Sequence, residues 1–164
     1  MASVPSTTAS VLNPTFYGKI VSTQDALIVV EACLQDVLMH IPRRPRACDQ
    51  ASLAKNGNVF VYEAHSSGIE VWQDNALWSP GEILDGFLVY RELDSAGGVK
   101  EGGIVKTTIT VKARGVSHHL VSYYTEADVT GGVVITQSKG VRLEHITPRS
   151  SLMTILPTIA SPGL

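Results

Sequence analysis

Apolar residues recur at three- and four-residue spacing through Leu27, Val30, Leu34 and Val37/Leu38, which lays them along one face of an α-helix. Ile28 and Val29 widen that face, so the helix is expected to be buried on more than one side, with Glu31, Gln35 and Asp36 as its polar remainder. Thr23 is placed as the N-cap, because its hydroxyl can accept from a free amide of the first turn. Pro42 is placed as the terminator, since it has no N–H and pushes Ile41 out of the α region.

Beyond the helix the period shortens. Residues 16–21 alternate enough for a short strand, with Gly18 at a bulge. Residues 49–56 predict a short helix capped by Asp49 and closed by Gly57. The run NVFVYE at 58–63 predicts a strand, His65-Ser66-Ser67-Gly68 a turn, and residues 69–72 the returning hairpin partner. Ser79-Pro80-Gly81-Glu82 follows Trp78 as a capping box with proline at the first helical position, so a short helix is expected there. Residues 86–93 predict a further strand. The segment DSAGGVKEGG, 94–103, reads as a linker that divides the chain.

The second half opens on the clearest alternation in the sequence. Residues 104–112 and 117–124 predict a hairpin around Ala113-Arg114-Gly115-Val116. Val105, Thr107, Ile109 and Val111 fall on one face, and Lys106, Thr108, Thr110 and Lys112 on the other. Thr125-Glu126-Ala127-Asp128 can cap another short helix, ended by Gly131-Gly132. Residues 133–164 hold no firm period, and Pro148, Pro157 and Pro162 suggest an extended arm. Residues 1–14, rich in Ser, Thr and Pro, read as a mobile lead-in. One long helix among many short strands predicts an α+β fold.

Composition narrows the function. Hydrophobic residues make up 44% and charged residues 17% of 164 positions, enough apolar material for one sizeable core. No apolar run approaches the roughly 18 residues needed to span a membrane, and the first ten residues lack the basic region of a signal peptide. Cys33 and Cys48 fit free thiols in a reducing compartment, with a disulfide between them as the alternative. The formal net charge of −2 argues against a uniformly basic nucleic-acid binder. The charge is nevertheless segregated: residues 63–101 hold eight acids against two bases, whereas residues 102–124 hold three bases and no acid. A basic face on an acidic protein is therefore permitted.

The densest cationic stretch follows the helix at once. His40-Ile41-Pro42-Arg43-Arg44-Pro45-Arg46 places three guanidinium groups within four residues. Its prolines restrict the backbone, so docking the arginines costs less entropy. The arginine fork suits phosphate oxygens and base edges. The stretch is either a solvated basic loop or a contact for nucleic acid or an acidic protein.

Enzyme chemistry finds little support. His118-His119 is the most catalytic-looking pair, but neighbours on a strand point to opposite faces and cannot easily grip one metal ion. No CxxC or HExxH spacing, no GxSxG and no phosphate-binding glycine loop is present. Trp72 and Trp78 could stack on a base or a sugar, or pack in the core. Cys33, mid-helix, reads as a small core residue. No cofactor, metal or small-molecule substrate is implied.

The blocks TFYGKIVSTQDALIVVEACLQDVL, PRRPR, GNVFVYE, SGIEVW, WSPGEIL, GFLVYREL and EGGIVKTTITVKARGVSHHLVSYYTEADV resemble, in order over residues 15–130, the WOPR-box family. Its members are fungal transcriptional regulators, including master regulators of cell-type switching and the gluconate-transport-inducer type. The resemblance implies two interlocked lobes, residues 15–93 and 104–147, whose mostly antiparallel strands form a shared core with the buried helix packed on it. Residues 148–164 would then form a C-terminal arm. It also implies a nuclear, sequence-specific binder of A/T-rich double-stranded DNA, with protein partners besides. Arg43, Arg44 and Arg46 are carried over as the loop that reaches the minor groove, and Lys106 as part of the family's basic pair. Lys19, Lys55, Lys106, Lys112 and Arg114 are expected at phosphates.

The departures from the family pattern remove charge. Glu70 and Val71 stand where two basic residues usually precede the tryptophan. Gly81 and Glu82 stand where Ser-Arg follows Trp-Ser-Pro, and the basic pair is reduced to Lys106-Thr107. Segment 94–103 is short where the family carries a long variable insert. These changes define the alternative: a divergent protein-interaction module that uses its acidic 63–101 surface and has weak or lost DNA binding.

Overall fold

The fold is centred on the alternating segment. In the computed structural model, which describes residues 12–69, 71–125, 137–138, 141–143 and 145–155, strands β5 (Ile104–Ala113) and β6 (Val116–Thr125) pair over their full length. Their connection is a two-residue turn with Arg114 at φ 53° and Gly115 at φ 80°. Both central residues at positive φ match the right-handed twist of the strands.

The remaining strands add antiparallel to this hairpin. They are β1 (Phe16–Tyr17), β2 (Asn58–Glu63), β3 (Glu82–Leu84), β4 (Phe87–Arg91) and β9 (Met153–Ile155). The sheet runs β1-β2-β6-β5-β4-β3, with β9 also pairing β5. A separate two-stranded ladder joins β7 (Gln137–Ser138) to β8 (Val141–Arg142). The helices are α1 (Thr23–Leu34) and the single turn α2 (Ala47–Gln50). Strands from both sides of residues 94–103 thus share one sheet, and the α+β expectation with a shared antiparallel core holds. Residues 94–103 fold as a hydrogen-bonded connection between the adjacent strands β4 and β5. Asp94 Oδ1 accepts the Ala96 and Gly98 amides at 2.9 and 3.1 Å.

Strand alternation loads both faces of the sheet. Val59, Val61, Val105, Ile109, Val111 and Leu120 pack with α1 residues Ala26, Val29, Val30, Ala32 and Cys33. Phe60, Tyr62, Val121 and Tyr123 point the other way and gather Leu12, Ile41, Leu53, Ile69, Trp72 and Trp78. The predicted inward face of β5 is observed: Val105, Thr107, Ile109 and Val111 are buried.

Several local expectations are corrected. The N-cap of α1 is Ser22, not Thr23: Ser22 Oγ accepts the Asp25 amide at 3.1 Å, and Asp25 Oδ2 accepts the Ser22 amide at 3.2 Å. Thr23 instead donates to the Asp85 carbonyl at 3.3 Å and ties α1 to the β3–β4 turn. The helix ends at Leu34, well before Pro42. Asp36 adopts φ 62°, and the Val37 and Asp36 amides donate to the Ala32 and Cys33 carbonyls at 2.9 and 3.1 Å. That is a Schellman closure with aspartate in the position usually held by glycine, so the sequence offered no glycine to announce it. Val37 is accordingly exposed, and Glu31, expected among the polar remainder, is buried.

Asp49 is the third residue of α2 rather than the cap of a 49–56 helix. Residues 69, 71 and 72 form no strand; β2 pairs instead with β1 and β6. The helix expected from Ser79 is strand β3. Asp85 (φ 52°) and Gly86 (φ 88°) close the β3–β4 hairpin, and Ser79 Oγ accepts the Arg91 amide at 2.9 Å instead of capping a helix. The strand expected over 16–21 is limited to Phe16–Tyr17. Thr125, expected to cap a helix, is the last residue of β6; the rest of that expected helix, residues 1–11 of the lead-in, and Pro157 and Pro162 lie outside the described residues.

Candidate functional site

Residues 42–46, which include Pro42 and Pro45, form a five-residue loop whose ends are fixed before any arginine is considered. At its start, the Ile41 amide donates to the Val61 carbonyl of β2 at 2.7 Å, and Ile41 is buried. At its end, the Asp49 and Gln50 amides of α2 donate to the Arg46 carbonyl at 2.8 and 3.2 Å.

The interior of the loop is organised by Asp49. This carboxylate is 3% exposed. Oδ2 accepts the Arg46 amide at 2.9 Å and an Arg43 guanidinium N–H at 2.9 Å, and Arg46 Nε lies 3.6 Å away. Oδ1 accepts the Leu12 amide at 3.4 Å. Burial alone would raise the Asp49 carboxyl, but the Arg46 and Arg43 donors outweigh it and hold it below the usual carboxylate value. Arg43 also donates to the Arg44 carbonyl at 2.9 Å. Arg44 is exposed, and among the described residues its guanidinium has no hydrogen-bond or ion-pair partner. Three arginines equivalent in sequence are therefore unequal in structure.

The loop root carries a second tie. His40 Nε2 lies 3.0 Å from His118 Nδ1 of β6, with the rings 5.1 Å apart. Burial lowers both imidazoles below their ordinary value. The neighbouring His40 lowers His118 further, Glu63 opposes the shift at both rings, and Asp36 opposes it at His40. His119 points to the other face, 2.9 Å from Thr110 Oγ1 and against the Tyr62 ring. The two histidines thus occupy opposite faces, as strand alternation requires.

The other expected cations divide by position. Lys55, Lys112 and Arg114 are exposed. Lys19, by contrast, is only 6% exposed. Lys106 is also committed inward. Its side chain is 11% exposed, Nζ sits 3.1 Å from Asp74 Oδ2, and it lies over the Trp78 and Tyr90 rings. The Asp74 carboxylate is buried and accepts the Tyr123 hydroxyl at 2.7 Å and the Trp78 indole N–H at 2.9 Å. Trp72 in turn donates to the Tyr123 hydroxyl at 2.7 Å and stacks on Tyr62 with planes 8° apart. Both tryptophans are packing residues whose polar edges are satisfied.

Sequence reasoning missed Asp49 and Asp74 as organisers. For Asp49 a signal existed: it stands three residues beyond Arg46, where a carboxylate can fold back onto the helix entry. For Asp74 the signal was incomplete: Trp78 is four positions away, but the other two partners, Tyr123 and Lys106, lie 49 and 32 positions away. Cys33 is a buried free thiol pushed up to about 12 by burial, and Cys48 is free and exposed. No group of three or more His, Cys, Asp or Glu side chains among the described residues could hold a metal ion. No described helix is long and apolar enough to cross a membrane.

The molecule is thus a mostly antiparallel α+β domain carrying a braced arginine loop at one edge of its sheet. Residues 15–102 match the model of the Gti1/Pac2 family, and the chain belongs to that family. It is 36% identical over 205 aligned residues to the global transcription regulator sge1 of Fusarium oxysporum f. sp. lycopersici, an alignment covering 87% of this chain and 62% of the relative. It is 44% identical over 82 residues to gluconate transport inducer 1 of Schizosaccharomyces pombe, covering 50% of this chain and 11% of that one. The chain therefore spans about three fifths of the length of the first of these relatives, and much less of the second. The fold is that of the WOPR domain. The solved complex of the Wor1 WOPR domain from Candida albicans with a 13 bp double-stranded DNA superposes with a TM-score of 0.70 at 35% identity, over 84% of this chain and 92% of that one.

Proposed function

We propose that this chain is the DNA-binding domain of a nuclear fungal transcription regulator, and that residues 42–46 enter an A/T-rich minor groove. The observation that carries the reading is Arg44: an exposed guanidinium without a partner among the described residues, within a loop fixed at both ends. A narrow A/T groove concentrates negative potential and attracts such a group. A loop held in place loses little entropy on docking. Lys112 and Arg114, exposed at the β5–β6 turn, and Lys55, exposed beyond α2, supply phosphate contacts. The related Wor1 domain, solved with double-stranded DNA at 35% identity, supports the reading.

Fluorescence anisotropy against A/T-rich and G/C-rich duplexes at two salt concentrations tests it. Tighter binding to A/T-rich DNA, weakening steeply as salt rises, is the expected result. Binding that is weak and indifferent to sequence even at low salt would remove the reading and favour a protein-interaction module.

A further inference from the structure

Asp49 pairs with two of the three loop arginines, the half-buried Arg43 and the exposed Arg46, and leaves the third without an ion-pair partner among the described residues. Its Oδ2 sits 2.9 Å from the Arg43 guanidinium and 3.6 Å from Arg46 Nε, while accepting the Arg46 amide at 2.9 Å. Arg43 then reaches across to the Arg44 carbonyl at 2.9 Å, fixing the peptide that carries Arg44. The same carboxylate takes the Leu12 amide at 3.4 Å and so ties the loop to the chain before β1. The charge on the site is consequently smaller than the sequence suggests, because one buried anion sits behind three cations.

We infer that Asp49 is a specificity-determining positioning residue: it neutralises Arg43 and Arg46 into a scaffold and leaves Arg44 as the single reader of the groove. This rests on the proposed DNA-binding function. A free triplet of arginines would bind any duplex through its phosphates, since phosphate contacts carry no sequence information. Immobilising two of them trades general affinity for a defined placement of the third. The carboxylate acts through its neighbours and does not itself touch DNA, which would repel it.

Two variants separate this role from a merely structural one. Asp49→Asn keeps the size of the side chain and one oxygen, enough to accept the Arg46 amide though not the Leu12 amide as well, and releases the guanidinium of Arg43 from its anion. Affinity for a G/C-rich duplex should hold or rise, and its salt dependence should steepen by about one unit of log–log slope per arginine released. The preference for A/T-rich DNA should fall by about tenfold, as expected when a reading group loses its support. Arg43→Gln removes the brace and one positive charge together, so general affinity should fall while the A/T preference drops in the same way. A purely structural role would lower both affinities in both variants and leave their ratio unchanged; that result overturns the inference.

A measurement without DNA distinguishes failure of this inference from failure of the DNA-binding reading. The guanidinium ¹⁵N–¹H signals of Arg43 should be resolved and slowly exchanging in the natural protein, those of Arg44 averaged. Asp49→Asn should collapse the Arg43 signals onto those of Arg44. Equal mobility of the two arginines in the natural protein would refute the positioning role whatever the DNA results. A natural protein with no A/T preference but a rigid Arg43 would refute specific reading while leaving the brace intact.

Discussion

Glu31 of α1 and Arg149 in the segment before β9 form a two-pronged ion pair across 118 positions of sequence. Arg149 Nε lies 2.9 Å from Oε1 and a terminal nitrogen 2.8 Å from Oε2. The Arg149 amide also donates to Oε1 at 3.0 Å, and Gln35 donates to Oε2 at 2.7 Å. The hydrogen bonds from Arg149 overcome the opposing effect of burial and lower the Glu31 carboxyl from 4.5 to about 2. The unfolded chain therefore takes up this proton first as pH falls. The stabilisation is fully present above pH 4.5 and is lost as pH drops towards 2. Denaturant midpoints measured across that window should fall steeply for the natural protein and more shallowly for Glu31→Gln. Two parallel curves would show that the pair does not titrate with folding.

The His40–His118 contact makes a second pH prediction, in a different window. Burial lowers both imidazoles from the ordinary 6.5, so the unfolded state binds protons that the folded state resists. Stability is then present above that value and declines as pH falls below it. Both rings face Glu63, His40 also faces Asp36, and His118 lies near His119, so neither is isolated. Thermal midpoints from about pH 7.5 to 5.5 should drop more for the natural protein than for His40→Gln, which removes one titrating ring at the root of the arginine loop. An unchanged slope in the variant would assign the titration elsewhere.

How much of this could be read from the chain depended on the range of the interaction. The β5–β6 hairpin was legible to within one residue at each strand end, because alternation of Val105, Thr107, Ile109 and Val111 and the Arg114-Gly115 turn are local signals. The end of α1 was not, since Asp36 closes it in a conformation that usually announces itself with glycine. Strand β3 was mistaken for a helix because Ser79-Pro80-Gly81-Glu82 has capping chemistry; Asp85-Gly86, a hairpin turn signal, decided the matter. For the candidate site, the arginines were visible as composition, but their inequality was not. It arises from burial of Asp49 and from Lys106 turning to Asp74, which only packing of distant segments can produce.

Tyr123 tests the buried polar network on the face of the sheet opposite α1. Its hydroxyl receives the Trp72 indole and donates to Asp74, each at 2.7 Å. Burial, followed by the adjacent Asp74 charge, raises the phenol far above its ordinary value, so the hydroxyl remains a donor. Tyr123→Phe deletes one oxygen and leaves the Trp72 indole without its acceptor. A destabilisation of about 2 kcal/mol is expected from a stranded buried donor. The urea midpoint should fall with the m-value unchanged. A neutral substitution would mean that water enters and satisfies the indole.

The last prediction sets Arg44 against Lys112, because the two cations should fail in different ways. Both are exposed, one in the braced loop and the other near the end of β5. Arg44→Ala removes the group assigned to the groove and should cost about 1–3 kcal/mol on an A/T-rich duplex. On a G/C-rich duplex it should cost much less, so the ratio between the two collapses. Lys112→Ala removes a phosphate contact, which carries no sequence information. It should weaken binding to both duplexes alike and reduce the salt slope by about one unit. Titrations of both variants on both duplexes at several salt concentrations separate the two roles. Equal losses on the two duplexes for Arg44→Ala would move the reading function away from this loop, and the same ratio collapse for Lys112→Ala would move it to the β5–β6 turn.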